Sequence, residues 1–154
     1  MIILGIDYGE QRTGVAASDP MGILASPVTV LREPARKKRA AEIARLAAER
    51  QAGKIVVGLP VNMDGTRGEK AHKCEQLAED LRRAAGLPVV LWDERLSTVA
   101  AHRALSEADV RGQKRKDMVD SVAAVIILQS YLDSIAPADR KNSDNPSCSA
   151  ERHS

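Results

Sequence analysis

Apolar periodicity changes kind along this chain in an order that few folds accept. Three strand-like runs come first, at Met1 to Asp7, Gly14 to Ser18 and Ser26 to Leu31. A tight Gly-containing turn joins the first two, and the third alternates Val28 and Val30 with small or polar partners. From Ala35 to Ala52 the spacing turns helical, with Ala40, Ile43, Ala44 and Ala47 on one stripe and Gly53 as the expected stop. Strand-like Lys54 to Gly58 follows. A second helix then carries Cys74, Leu77, Ala78, Leu81 and Ala85 on one face and ends at Gly86 and Pro88, before strand-like Val89 to Trp92. A short helix is expected after Ser97 or Thr98, either of which can cap it. A long helix is expected from about Asp117 to Ile135, almost continuously apolar from Val122 to Leu128. An antiparallel meander extended by two strand–helix crossovers predicts an α/β fold: a mixed five-stranded sheet with helices on its faces.

These elements make one domain over residues 1–136. A chain of 154 residues buries roughly 70% of its unfolded surface and needs no partner to build a core. Residues 137–154 are rich in Ser, Asn, Asp and Pro without periodicity, so a disordered tail is expected there. No apolar run reaches the ~18 residues of a membrane span, and the start lacks a basic region followed by a long apolar one. A cytoplasmic protein with no membrane partner is expected. Cys74 and Cys148 are far apart and match no zinc-ligand spacing.

The net charge of +2 says little about partners, but its distribution says more. Arg36, Lys37, Lys38 and Arg39 share a helix with Glu42 and Glu49 and read as a solvated face. Arg111, Lys114, Arg115 and Lys116 precede the last helix, beside a candidate site, and read as contacts for nucleic-acid phosphates. Tyr8, Trp92 and Tyr131 are the only aromatic residues. That is too few to stack successive bases, so recognition should rest on backbone charge and shape.

Three acids occupy positions that structure alone does not require. Asp7 closes the first strand, Glu94 follows the fifth beside Asp93, and Asp120 begins the apolar stripe continued by Ala124 and Ile127. Carboxylates end α/β strands where ligand sites form, and burying several together is costly unless a cation neutralises them. Oxygen donors of this kind suit Mg²⁺, or Mn²⁺, bridging to a substrate phosphate. Between Asp93 and Glu94 the reading favours Glu94 as the ligand; Asp117 is explained by capping. Arg12 and Arg95 stand where they could meet phosphate oxygens. The turn with Gly5, Gly9 and Gly14 allows close backbone approach to phosphate, and the stretch from Pro60 to Gly68 has the composition of a mobile loop over a site.

Four segments then carry a family resemblance: GIDYGEQRTGVAASD from Gly5, IVVGLPVNMDGTRG from Ile55, DERLST from Asp93 and KDMVDSVAAVIIL from Lys116. Together they resemble the YqgF family, also described as RuvX-type Holliday-junction resolvases and as pre-16S rRNA nucleases. The resemblance covers Met1 to about Leu132. It implies a ribonuclease-H-like fold, a nuclease maturing the 5′ end of 16S rRNA in ribosome biogenesis, and the metal-binding acids Asp7, Glu94 and Asp120. Three other readings share parts of the pattern. A resolvase would use the same acids on a four-way DNA junction. An ATP-binding enzyme of the actin and hexokinase type has a similar phosphate loop but closes two such domains around its nucleotide. A non-catalytic ribosome-assembly or transcription-associated module would not need all three acids.

Overall fold

The computed structural model describes residues 1–99 and 113–136, with 113–121 described by their backbone alone. The five expected strands are present: β1 (Ile2–Asp7), β2 (Thr13–Ser18), β3 (Ala25–Leu31), β4 (Ala52–Leu59) and β5 (Val89–Asp93). They lie in the order β3-β2-β1-β4-β5. The first three form an antiparallel meander, and β4 and β5 add in parallel. A parallel neighbour cannot be reached by a hairpin. The crossovers are therefore helical, through α1 (Arg36–Glu49) and α2 (Glu69–Ala85).

Alternation along the strands decides which face each helix covers. Leu4 and Ile6 of β1 with Ile55 and Val57 of β4 meet Ile43 of α1 and Leu77 and Leu81 of α2 in one core. The intervening Ile3 and Val56 meet Ile127, Leu128 and Leu132 of the last helix, α3 (Gln113–Ser134), in a second core. With both faces covered, the central strands read as unbroken apolar runs. Ile127, Leu128 and Leu132 have no exposed surface, so truncating any of them to alanine would cost about 2–5 kcal/mol.

The axis of α3 follows from two contacts with β4. Lys54 donates to the Tyr131 hydroxyl at 3.0 Å, and a Cβ added at Gly58 would lie 2.6 Å from Ile127 Cδ1. The helix thus runs antiparallel to β4, toward the C-terminal ends of β1 and β4 as its numbering falls. It sits close because β1 offers no side chain at Gly5, where a Cβ would meet that of Leu128 at 2.5 Å.

Several boundaries differ from expectation. The first helix stops at Glu49, and Gln51 rather than Gly53 takes the left-handed conformation, at φ 57°. Gly53 belongs to β4, where it makes room for the Met1 side chain. The last helix already includes Gln113, ahead of the expected Asp117, because Gln, Lys and Arg propagate a helix well before its apolar stripe begins. Pro27 lies in β3, tolerated because this is an edge strand with a register shift opposite it, between Val15 and Ala16. The β2–β3 connection is closed by the Asp19 carboxylate, which accepts the N–H groups of Ile23 and Leu24 at 2.7 and 2.9 Å. Cys74 is buried and forms no disulfide among the described residues. The helix expected after Ser97 or Thr98 begins at Val99, whose N–H donates to Ser97 Oγ at 3.3 Å. Its remainder, Arg111, Cys148 and the tail from Pro137 lie outside the described residues. Among the described residues no helix is long and apolar enough to cross a membrane.

Candidate active site

Asp7 is the last residue of β1 and is 4% exposed. It shares a sheet face with Ile3 and Gly5, the face that α3 covers. Glu94 is the first residue of a short 3-10 turn (Glu94–Leu96) and is 7% exposed. Its Oε2 lies 2.9 Å from where a Cβ on Gly58 would stand. Ile6 pairs with Val57, so Gly58 is the β4 position beside Asp7. The two carboxylates therefore occupy the same face at neighbouring strand ends. The absence of a side chain at Gly58 is what gives Glu94 its place there.

The backbone of α3 leads Asp120 toward the same end. The Ala124 carbonyl oxygen lies 3.2 Å from where a Cβ on Gly5 would stand. Asp120 is one helical turn earlier, about 6 Å along the axis, and Asp7 is two strand residues later, about 6.6 Å along β1. Among the described residues no three His, Cys, Asp or Glu side chains converge; Asp7 and Glu94 supply two, and Asp120 lies in the segment described by backbone alone. Lys114, Arg115 and Lys116 lie in that segment too, in the first turns of α3.

Asp93 and Glu94, adjacent in sequence, have different surroundings. Asp93 accepts the Arg95 backbone N–H at 2.8 Å and pairs with its guanidinium at 2.8 Å. The hydrogen bond from the Arg95 side chain holds the Asp93 carboxyl below the usual carboxylate range. Asp93 caps and braces the turn, while Glu94 is turned into the protein. Arg95 is exposed and reaches the Asn62 carbonyl at 3.4 Å. Arg12 is half-buried in the β1–β2 turn, five residues beyond Asp7.

The segment expected to be a mobile loop is internally bonded. Asn62 and Thr66 share a backbone hydrogen bond of 2.9 Å, Asp64 accepts the Thr66 N–H and hydroxyl at 2.9 and 2.6 Å, and Val61 bridges to Arg67. Short polar side chains closing on their own backbone make it a hydrogen-bonded turn. Between this turn and Asp93–Thr98 lies an open groove of about 840 Å³, with Glu94, Arg95, Asn62 and Met63 among its lining residues.

One residue of the first basic cluster is not on a solvated face. Arg39 is fully buried. Its guanidinium donates to the carbonyls of Glu33 at 2.7 Å, Glu10 at 2.8 Å and Gly9, and to Thr13 Oγ1 at 2.9 Å. It also lies 5.2 Å from the centre of the Tyr8 ring. Burial pulls its pKa down from the ordinary value, yet arginine stays charged in proteins. The signal available in the sequence was its spacing: Arg39 is four residues before Ile43 and eight before Ala47, on the buried stripe of α1. Arg36 of the same cluster pairs with the buried Asp80 of α2 at 2.7 Å.

Comparison with known proteins gives a family match and a shared fold. The family described as "RuvX: Holliday junction resolvase" matches residues 1–134. A relative from Clostridioides difficile is 49% identical over 131 residues, 85% of this chain and 93% of that protein. One from Myxococcus xanthus is 44% identical over 139 residues, 90% of this chain and 92% of that one. Both carry the provisional name pre-16S rRNA nuclease. Among solved structures, Thermus thermophilus RuvC in complex with a Holliday junction substrate superposes with a TM-score of 0.56 at 16% identity, covering 88% of this chain and 97% of that one. A second RuvC structure from Thermus thermophilus gives 0.52 over 87% and 95%. That likeness shows the ribonuclease-H-like fold.

Proposed function

The chain belongs to the RuvX family, and from that premise we propose that it is a divalent-metal-dependent nuclease that processes the 5′ end of pre-16S rRNA. The observation that carries the reading is the pair of buried carboxylates, Asp7 and Glu94, on one face of the sheet end toward which α3 brings Asp120. The substrate is the one that names the relatives at 44–49% identity.

An all-oxygen donor set of two buried carboxylates, with a third acid on the approaching helix, fits a hard cation such as Mg²⁺ or Mn²⁺. Asp7, Glu94 and Asp120 would hold it, and when bound it supplies the charge that makes water nucleophilic and steadies the leaving oxygen. The chain does the rest. The Asp93–Arg95 clasp fixes the turn that bears Glu94, and Gly58 leaves that carboxylate room beside Asp7. Arg12, Arg95, Lys114, Arg115 and Lys116 bind the phosphates of an approaching strand, and the groove beside Glu94 gives that strand a path. The catalytic domain comprises residues 1–136.

Asp7→Asn, Glu94→Gln and Asp120→Asn should each abolish divalent-ion-dependent shortening of a pre-16S leader while circular dichroism shows an intact fold. Full activity in purified Asp7→Asn would overturn the assignment. The family's own description favours a second reading, resolution of a four-way junction. The same assay run on a pre-16S leader and on an intact junction, with and without Mg²⁺, separates the two. Symmetric nicking of the junction by protein that ignores the leader would establish the resolvase.

A further inference from the structure

Arg39 fixes the direction of two peptide groups beside Asp7. Its guanidinium draws in the carbonyl oxygens of Gly9 and Glu10 from the side of α1, where it also faces the Tyr8 ring. Tyr8 packs in the α1–α2 core. The Glu10 carboxylate is drawn to the same side by Lys73 of α2. In a trans peptide the carbonyl and the following N–H point in opposite directions, and the described residues contain no cis bond. The N–H groups of Glu10 and Gln11 therefore point away from α1 and α2, toward the sheet face that holds Asp7.

Charge reinforces direction. Among the described residues the Arg39 guanidinium donates to three carbonyls and a hydroxyl, and Glu33 and Glu42 act on it through space rather than by a hydrogen bond, whereas Lys73 pairs with the Glu10 carboxylate. A buried cation whose hydrogen bonds go to neutral acceptors keeps a positive field around it. A cation on a carbonyl also polarises the peptide and strengthens its N–H as a donor. Successive N–H groups aimed outward over a buried positive charge make a concavity suited to an anion.

We propose that the Gly9–Gln11 turn is a phosphate cradle, in which the Glu10 and Gln11 N–H groups donate to a nucleic-acid phosphate next to the one cleaved at Asp7. Arg39 is its positioning residue. The choice of a nucleic-acid phosphate rests on the nuclease reading; the anion site itself does not.

The test is amide NMR on the full ¹⁵N-labelled chain in EDTA, titrated in one arm with a short single-stranded RNA and in the other with inorganic phosphate. Both arms should move the Glu10 and Gln11 amides. Arg39→Lys, which keeps the charge but cannot hold both carbonyls, should abolish those shifts and weaken RNA binding about tenfold, the worth of one hydrogen bond to a charged acceptor, with the Val56 and Ile127 amides unmoved. Gln11→Pro removes one donor without touching Arg39 and should weaken binding similarly, so the test survives an unfolded Arg39→Lys. Saturation by RNA with the Glu10 and Gln11 amides unmoved would overturn the cradle. Shifts with inorganic phosphate alone would overturn its assignment to nucleic acid. Loss of cleavage in Asp7→Asn alongside either result would leave the nuclease reading standing.

Discussion

Gly58 separates packing from chemistry at the residue scale. A methyl group there would press on Ile127 Cδ1 at 2.6 Å and on Glu94 Oε2 at 2.9 Å. Ile127 can give way by rotating its end, but the Glu94 carboxylate has to leave its place beside Asp7. Gly58→Ala should thus lower kcat by at least about tenfold, equivalent to ~1.4 kcal/mol of transition-state stabilisation, while the melting temperature falls only a few degrees. Unchanged kcat in a folded variant would show that Glu94 acts from elsewhere. Legibility at this scale was uneven. Asp7 and Glu94 were readable because an acid closing an apolar run is conspicuous. The surroundings of Gly58 and Arg39 were not, because each depends on a neighbour distant in sequence: Glu94 for the first, the β1–β2 turn for the second. Arg39 was further hidden among three other cations, one of which, Arg36, pairs on α2.

Periodicity exposed the elements better than their ends. Strand and helix types follow from spacing alone, whereas stops depend on single backbone conformations such as that of Gln51, and starts on polar residues that carry no stripe. The β2–β3 turn shows what a single carboxylate can contribute to an element. Backbone N–H groups of Leu24 and then Ile23 hold Asp19 below the usual carboxylate range. A folded-state pKa below the unfolded value means that the stabilisation is complete above the unfolded pKa, about 4, and is lost as pH falls through the lower folded value. The melting temperature of the native chain should drop more steeply than that of Asp19→Asn as pH falls below about 4; parallel curves would show that the turn does not use the charge. The start of α3 is tested by salt. Replacing Lys114 and Arg115 by alanine should reduce the slope of log binding constant against log salt by about 1.4 for a single strand, with sequence preference retained. An unaltered slope would make the cluster a solvated surface.

Two features of the whole molecule bear on substrate. A single chain brings Asp7, Glu94 and the Asp120 segment to one sheet end, so one copy should suffice to shorten a leader, whereas symmetric cutting of a four-way junction needs two copies in fixed relation. Leader cleavage should rise linearly with protein concentration through the nanomolar range. A second-order rise, with dimers in sedimentation, would favour the junction. The sheet's strand order was not readable, because crossover connections allow β4 to join either edge of the meander and only the packed structure shows it beside β1. That order has a consequence for synthesis. β1 is made before the other described strands, yet one of its faces is covered by α3, which is made after all of them. Until that helix emerges, Ile3 and Val56 lack their cover and the acid of Asp120 has not arrived. On the proposed assignment of Asp7, Glu94 and Asp120, a nascent chain would hold Asp7 in an unfinished pocket, unable to cut RNA until α3 has emerged.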